Sequence, residues 1–212
     1  MIPKVIYITH KNIEIIRPYS TKWTQLNPDY TVELYDNERC IEFLLREFSQ
    51  LHVDIFNFIS DGPIKADFWR LCILYKYGGV YADADIEPLV PFNEYIKPDI
   101  EFLTCISKYN NQNNYNPHFI MCIKDNARIK RCIDWYTIYY TKKSYSYWGW
   151  SIVKLFNVIF RNIKHIDNDT IQMLNEINRG GSLHDFYCEY KDVLVMKCRH
   201  IDYNPDSHQY NV

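Results

Sequence analysis

Residues 78–90 read GGVYADADIEPLV, a double glycine and a short apolar run followed by two aspartates, Asp83 and Asp85, one residue apart. The run predicts a buried strand, and in open α/β sheets ligands bind beyond the carboxyl ends of strands. Two carboxylates that face one cavity repel each other unless a cation separates them. Mg²⁺ and Mn²⁺ prefer oxygen ligands and often use only one or two protein carboxylates. The stretch therefore predicts a metal site shared with a diphosphate, and a solvated surface turn is the alternative interpretation.

The segment before this strand predicts a helix over residues 64–77 that stops at the double glycine. Its apolar side chains project in nearly all directions, so we expect the helix to be buried. Asp67 and Arg70 fall in an apolar sector, where charges are costly unless they are paired or bind a ligand. Two interpretations stay open, a buried ion pair and a part of the active site. Lys65 is a further candidate near the same rim, or else a solvated lysine.

Strand-like and helix-like segments alternate along the first half of the chain, which favours an α/β domain with a largely parallel sheet. The predicted strands lie at residues 3–9, 30–35, 80–82, 100–106, 119–123 and 193–198. The predicted helices lie at residues 20–26, 38–58, 64–77, 127–140, 150–160 and 168–178, with a loop at 108–117. No internal repeat or linker is visible, so residues 1–212 are expected to form one domain.

The composition of the 212 residues, 47% hydrophobic and 24% charged, suits one globular domain. The net charge of -2, with both signs mixed along the chain, argues against a nucleic-acid partner, which would need a basic stripe. No signal peptide and no run of about 18 apolar residues is visible, so we expect no membrane span and a cytoplasmic location. The seven cysteines show no paired spacing and predict reduced core thiols instead of a disulfide or zinc framework.

Several short motifs occur together in one order. They are Ile2-Pro3-Lys4-Val5-Ile6, Trp23 with Asn27-Pro28-Asp29-Tyr30, Leu34-Tyr35-Asp36, Lys65-Ala66-Asp67-Phe68-Trp69-Arg70, Gly78-Gly79-Val80-Tyr81 and Asp83-Ala84-Asp85. In this order they resemble the DxD-containing sugar transferases of glycosyltransferase family 32, over roughly the first 90 residues. The resemblance implies a GT-A fold, a Rossmann-like single domain with a mixed, largely parallel sheet flanked by helices. Length and an Asn/Tyr-rich composition further suggest one domain of a chlorella-virus glycosyltransferase, with further domains on the same polypeptide and a location in the host-cell cytoplasm.

The resemblance also implies an activity and a set of site residues. The enzyme would be a metal-dependent, retaining transferase that moves a hexose or deoxyhexose from a UDP-sugar to a glycan or glycoprotein acceptor. By motif position, Asp85 would be the principal ligand of Mn²⁺ or Mg²⁺, and Asp83 would contact the metal or the ribose. Asp67 and Arg70 would face the donor sugar and its phosphates.

Further positions follow from the same resemblance. At the end of the first strand, Ile8, Thr9 and His10 would lie by the uracil and ribose. Relatives carry a late histidine or asparagine that completes the metal site, for which His208 is favoured here and His200 stays open. The acceptor side would correspond to residues 148–151, which lack the proline of relatives. The aromatic side chains at 145, 147, 148 and 150 form either a sugar-stacking platform or core packing.

Retention would ordinarily invite a carboxylate nucleophile. None can be named here, so front-face attack, in which a donor phosphate oxygen takes the proton of the acceptor hydroxyl, is the working hypothesis. Two rival functions stay open, a noncatalytic nucleotide-sugar-binding module and a phosphatase that uses the first aspartate as its nucleophile. The phosphatase normally has its aspartate pair after the first strand, and here the pair follows the third. Slow hydrolysis of a UDP-sugar would favour the transferase, and turnover of p-nitrophenyl phosphate would favour the phosphatase.

Overall fold

The computed structural model describes residues 1–107, 114–164, 166–180 and 186–198. The first half of the chain alternates as predicted: β1 (Val5–Thr9), α1 (Ile13–Leu26), β2 (Thr31–Tyr35), α2 (Asn37–Glu47), α3 (Gln50–Phe58), α4 (Gly62–Tyr77) and β3 (Gly79–Ala82). The second half contains β4 (Ile86–Pro88), β5 (Phe102–Ser107), β6 (Asn114–Cys122), α5 (Ala127–Thr141), α6 (Tyr147–Trp150), α7 (Ile152–Ile159), β7 (Ile171–Asn178), β8 (Phe186–Tyr190) and β9 (Val193–Cys198).

Over the described residues, the strands form one sheet in the order β2-β1-β3-β6-β5-β7-β8-β9-β4. Parallel pairing occurs in β1–β2, β1–β3 and β5–β7. The five other neighbouring pairs are antiparallel. The predicted mixed α/β class is confirmed. The sheet was expected to be largely parallel, and this is wrong, because most of its strand pairs are antiparallel. For β8 and β9 the physical reason is local, because a connection as short as the Lys191-Asp192 turn can join only antiparallel strands.

The passage from α4 into β3 depends on the double glycine. Gly78 has a φ of +67°, and a Cβ there would lie 2.6 Å from the backbone nitrogen of Lys124. Gly79 has a φ of +104°, and a Cβ there would lie 2.9 Å from the carbonyl oxygen of Val5. Any other residue would be strained at both positions, so these glycines let β3 begin immediately where α4 ends.

Helix α4 is buried nearly all round, as predicted, with a continuous buried run over residues 67–74. One apolar layer contains residues of α2, α3, α4, α5 and α7, and it packs on one face of the sheet. The other layer contains α1 residues, among them Trp23, together with Phe92 and Tyr95. None of the helices in the described part of the chain combines the length and apolar character needed to span a bilayer.

Two segments differ from the sequence prediction. Residues 168–178 were expected to be helical, but Ile171–Asn178 forms β7, where six consecutive residues pair with β5 and override the helix propensity of its Gln, Met, Leu and Glu. The predicted loop over 108–117 is a strand from Asn114 onward, and its residues 108–113 lie outside the described part. Pro117 is tolerated in β6 because the ladder with β5 is irregular between Thr104 and Ile106.

Smaller differences concern boundaries. Helix α1 starts at Ile13 instead of near residue 20, with Asn12 capping it by accepting from the backbone N–H of Glu14 at 3.1 Å. The helix expected over 150–160 is divided at Ser151, whose side chain caps α7. Strand β8 was not predicted from the sequence.

Candidate functional site

The Asp83–Asp85 stretch is a β-turn at the carboxyl end of β3. The carbonyl oxygen of Asp83 accepts from the backbone N–H of Ile86 at 3.1 Å, and the chain continues into β4. The backbone N–H of Asp83 donates to the carbonyl oxygen of His118 at 2.8 Å, which fixes the turn to β6. Both aspartates are partly exposed. The stretch is thus a turn, but one whose first aspartate is tied to a neighbouring strand.

Arg70 lies at the centre of a buried charge network. Its Nη2 lies 3.0 Å from Oδ1 of Asp67 and 3.0 Å from Oδ1 of Asp83. Backbone carbonyls accept from the rest of the guanidinium, Ala66 from Nε at 3.2 Å and Pro117 from Nη1 at 2.7 Å. The Arg70 side chain is only 5% exposed. The ion pair with Asp67, one of the two interpretations left open above, is therefore present, and the same cation also holds Asp83.

Tyr81 completes the support of the Asp83 carboxylate. Its hydroxyl donates to Oδ1 of Asp83 at 2.7 Å, and its ring lies under the Arg70 guanidinium, 4.3 Å from ring centroid to Cζ. Both contacts to the Asp83 side chain within the described residues end on Oδ1, and the side chain is 30% exposed. Oδ2 is therefore the atom that could reach a ligand at the sheet edge.

Asp67 joins this network to α7. Its Oδ2 accepts from the backbone N–H of Ile152 at 3.0 Å, at the N-terminus of that helix, where negative charge is favoured. Burial raises the pKa of Asp67 to about 6, although the Arg70 charge and the Ile152 N–H act in the opposite direction. One guanidinium thus faces two carboxylates, of which Asp67 is the more deeply buried.

The candidates at the end of β1 reach the same edge of the sheet. Tyr7 pairs with Tyr81 in the parallel ladder, so the residues that follow them lie side by side. Thr9 donates its hydroxyl to the carbonyl oxygen of Tyr35 at 2.9 Å, and Nδ1 of His10 lies 2.7 Å from the carbonyl oxygen of Asn12. The side chain of Ile8 is buried in the core, so only its backbone is available to a ligand.

One other candidate, Lys65, lies away from the Arg70 network, and two further candidates fall outside the described residues. Nζ of Lys65 lies 5.1 Å from the ring centroid of Phe56, on the side of α4 that faces α3. His200 and His208 lie outside the described residues, so their proposed part in a metal site stays a prediction.

The aromatic group near α6 divides into two kinds of residue. Trp150 is buried, packs against Tyr136 and Tyr145, and donates its indole N–H to the carbonyl oxygen of Ser144 at 2.9 Å. Trp148 is 59% exposed. Core packing therefore explains Trp150, whereas Trp148 presents its ring at the surface, a few residues before the α7 N-terminus that Asp67 binds.

Two parts of this region were missed from the sequence. The role of Tyr81 could have been found, because it precedes Asp83 by two residues and strand side chains alternate. The second part is a buried group beside the turn, in which Cys105, His118 and Cys188 approach one another, as do His118, Glu176 and Cys198. All seven cysteines are buried and free, as expected, but no spacing in the sequence indicated that three of them lie around His118.

Residues 16–102 match the family model described as glycosyltransferase sugar-binding region containing DXD motif. The match spans Asp67, Arg70, Asp83 and Asp85, so the resemblance predicted from the motifs is confirmed. The class that this region and its turn match is that of the DXD glycosyltransferases.

Particular relatives are similar over parts of the chain. One is the mannosyl phosphorylinositol ceramide synthase of Saccharomyces cerevisiae, 32% identical over 46% of this chain and 28% of its own length. Another is the initiation-specific alpha-1,6-mannosyltransferase of Candida albicans, 32% identical over 37% of this chain and 21% of its own length. The matches thus span less than a third of either relative.

The fold has a solved counterpart. The PaToxG glycosyltransferase superposes with a TM-score of 0.58 at 17% identity, covering 78% of this chain and 71% of that one. The expected GT-A fold is therefore confirmed, while the viral origin suggested by the composition stays a prediction.

Proposed function

We propose that the chain is a metal-dependent, retaining glycosyltransferase that moves a hexose or deoxyhexose from a UDP-sugar to a glycan or glycoprotein acceptor. The observation that carries this proposal is the fixed carboxylate of Asp83 at the carboxyl end of β3, within a region that matches the DXD family. Because both relatives above are named for mannosyl chemistry, a nucleoside-diphosphate mannose belongs beside the UDP-sugars as a donor to test.

The donor atoms at the turn fit a hard divalent cation. Asp83 and Asp85 offer carboxylate oxygens on partly exposed side chains, and Mg²⁺ or Mn²⁺ commonly binds one or two such groups while substrate phosphates fill other positions. These two residues would hold the ion, with His208 as a further proposed ligand. When bound, the ion would supply positive charge against the charge that grows on the departing diphosphate.

Arg70 is proposed to act as a positioning residue. For its guanidinium to reach donor phosphates it would have to leave Asp67, Asp83 and the carbonyl of Pro117. Removing the partner of a buried charge costs about 3–5 kcal/mol. A role in which Arg70 stays in place, orients Asp83 and is held by Asp67 avoids this cost in free energy.

The remaining substrate contacts are proposed from the positions of residues around the Asp83 turn. Thr9 and His10 end at the edge that carries Asp83, and we assign them to the nucleoside. The exposed ring of Trp148 is assigned to the acceptor sugar, on which aromatic faces commonly stack. Retention is proposed to proceed by front-face attack of the acceptor hydroxyl, so isolation of a trapped glycosyl–enzyme adduct would contradict this step.

The first experiment is a panel of UDP- and GDP-linked sugars, each tested for Mn²⁺-dependent thermal stabilisation of the chain, because ligand linkage reports donor choice without an acceptor. The donor that stabilises is then incubated alone with the protein. Slow metal-dependent release of free sugar would support the transferase. Tight donor binding without release of sugar, with or without an added acceptor, would favour the noncatalytic module. Turnover of p-nitrophenyl phosphate would favour the phosphatase.

A further inference from the structure

A second group of ligand-type side chains lies beside the turn and takes no part in the proposed transfer. Sγ of Cys105 on β5 lies 3.6 Å from Sγ of Cys188 on β8. Nε2 of His118 on β6 lies 3.2 Å from the same Cys188 sulfur. The ligand atoms of these three residues all lie within 4.8 Å of one another, and all three residues are buried. Two thiols and an imidazole therefore converge from three strands.

The separations match those of a tetrahedral zinc site. Bonds of about 2.3 Å to sulfur and about 2.0–2.1 Å to nitrogen place two sulfurs about 3.8 Å apart, and a sulfur and a nitrogen about 3.5 Å apart. The observed 3.6 Å and 3.2 Å differ from these values by only a few tenths of an ångström. A disulfide would need about 2.05 Å. Hydrogen bonds between thiols have similar lengths, so distance alone does not separate a zinc site from a set of hydrogen-bonded thiols. The surroundings of His118 do.

The other ring nitrogen of His118 has the partner that a metal-bound histidine usually has. Nδ1 lies 3.3 Å from Oε2 of Glu176, which is itself buried, and Asn116 donates to that oxygen at 2.7 Å. Histidine ligands almost always donate their second N–H to a carboxylate, carbonyl or water, which fixes the tautomer and raises the basicity of the ligating nitrogen. Glu176 thus directs the Nε2 lone pair toward the thiols.

A fourth ligand is at hand on β9. Sγ of Cys198 lies within 4.8 Å of a His118 ring nitrogen and of the Glu176 carboxylate. We propose that Cys105, His118, Cys188 and Cys198 bind one Zn²⁺, with Glu176 positioning His118. Three thiolates and one imidazole form a closed set of the kind found in structural zinc sites.

The position of this site gives the ion a structural role. It would join β5 and β6 to β8 and β9, which lie on opposite sides of β7 in the sheet. The carbonyl oxygen of His118 also accepts from the backbone N–H of Asp83, so the zinc-bound residue and the DXD turn share one backbone contact. The inference itself does not depend on the proposed transferase function.

The test is the zinc content of the full chain after dialysis, measured by inductively coupled plasma mass spectrometry. We expect about one zinc per chain in the wild type, and less than about a tenth of that in Cys105→Ser and Cys188→Ser. The matched control is Cys122→Ser on β6, a buried thiol that faces the carbonyl of Leu74 and should leave zinc unchanged. The double variant Asp83→Asn/Asp85→Asn should also retain zinc, which separates this site from the DXD turn.

Cobalt replacement keeps the proposal testable should the serine variants fail to fold. Wild-type chain loaded with Co²⁺ should show an ultraviolet thiolate-to-cobalt band and intense tetrahedral absorption in the visible. Cys198→Ser should lose about a third of the band, because one of three thiolates is removed. A wild type without zinc and without a thiolate–cobalt band would overturn the proposal. So would a native mass that is two hydrogens short because Cys105 and Cys188 form a disulfide.

Discussion

Arg70 binds Asp83 in a largely buried ion pair, with Nη2 of the arginine 3.0 Å from Oδ1 of the aspartate. The same nitrogen lies 3.0 Å from Oδ1 of Asp67, and the hydroxyl of Tyr81 reaches the Asp83 oxygen from the strand. The first aspartate of the DXD turn is therefore oriented by protein groups on two sides. Preorganised charges of this kind need little rearrangement when charge develops nearby.

Replacing Arg70 by methionine should destabilise the chain by about 3–5 kcal/mol, because two carboxylates would lose the cation they share. The measurement is the free energy of unfolding in urea. Arg46→Met is the control, since Arg46 pairs with Glu47 at the surface, and we expect a loss below about 1 kcal/mol there. Equal losses for the two variants would show that the Arg70 network does not stabilise the fold.

Tyr81→Phe should separate the hydroxyl contact from the ring contact. The variant keeps the ring under Arg70 but removes the 2.7 Å hydrogen bond to Asp83. Hydrogen bonds to charged groups contribute about 1.5–3 kcal/mol, so we expect a stability loss near the lower end of that range and weaker Mn²⁺-dependent nucleotide binding. Tyr75→Phe serves as the control, because Tyr75 lines a separate cleft with Lys76 and Lys124. Unchanged nucleotide affinity in Tyr81→Phe would argue against a fixed Asp83.

Asp67 should make the stability of the metal-free chain depend on pH. Its pKa rises from 3.8 to about 6 on folding, mainly because of burial. The folded state then holds this proton more tightly than the unfolded chain, so the contribution is complete below the unfolded pKa and is lost as the pH rises through the folded one. We predict that Asp67→Asn gains about 1–3 kcal/mol relative to wild type between about pH 4 and about pH 6.5.

The check is a series of melting curves for wild type and Asp67→Asn across that range, without divalent ions. Asp99→Asn, an exposed aspartate, should run parallel to wild type. A constant difference between Asp67→Asn and wild type at every pH would show that the Asp67 proton is not bound more tightly in the folded chain.

Trp148→Ala should affect the acceptor and not the donor. Loss of a stacking surface worth about 1–1.5 kcal/mol would raise the acceptor KM about tenfold, while Mn²⁺-dependent donor binding stays unchanged. Trp148→Phe should recover most of the affinity, and Ile138→Ala, also exposed, should behave as wild type. An unchanged acceptor KM in Trp148→Ala would remove this residue from the acceptor site.

The sequence predicted those parts of the fold whose signals are local. Gly78 and Gly79 marked the end of α4 because the backbone there needs positive φ, and the apolar residues on all sides of the helix indicated its burial. The spacing of Asp67 and Arg70 made their ion pair one of two open interpretations, and the structure contains it. That Arg70 would also reach Asp83 did not follow, because this contact depends on how closely α4 packs behind β3.

Contacts between distant segments could not be predicted. Half of the residues of strand β7 favour helices, and its pairing with β5 and β8 makes it extended. Cys105 and Cys188 are 83 residues apart, so no short spacing revealed their contact. The cysteines were correctly expected to be buried thiols, but their grouping around His118 is a property of the folded sheet alone.

Calorimetry of UDP-sugar or nucleoside-diphosphate mannose binding, with and without Mn²⁺, tests the central claim most directly. In wild type we expect binding that requires the ion. In Asp85→Asn we expect affinity to fall by about 100-fold or more, because a charge contact near the surface is worth about 4 kcal/mol, whereas Asp99→Asn should bind as wild type. Full Mn²⁺-dependent affinity in Asp85→Asn would contradict the assignment of the DXD turn as the metal site.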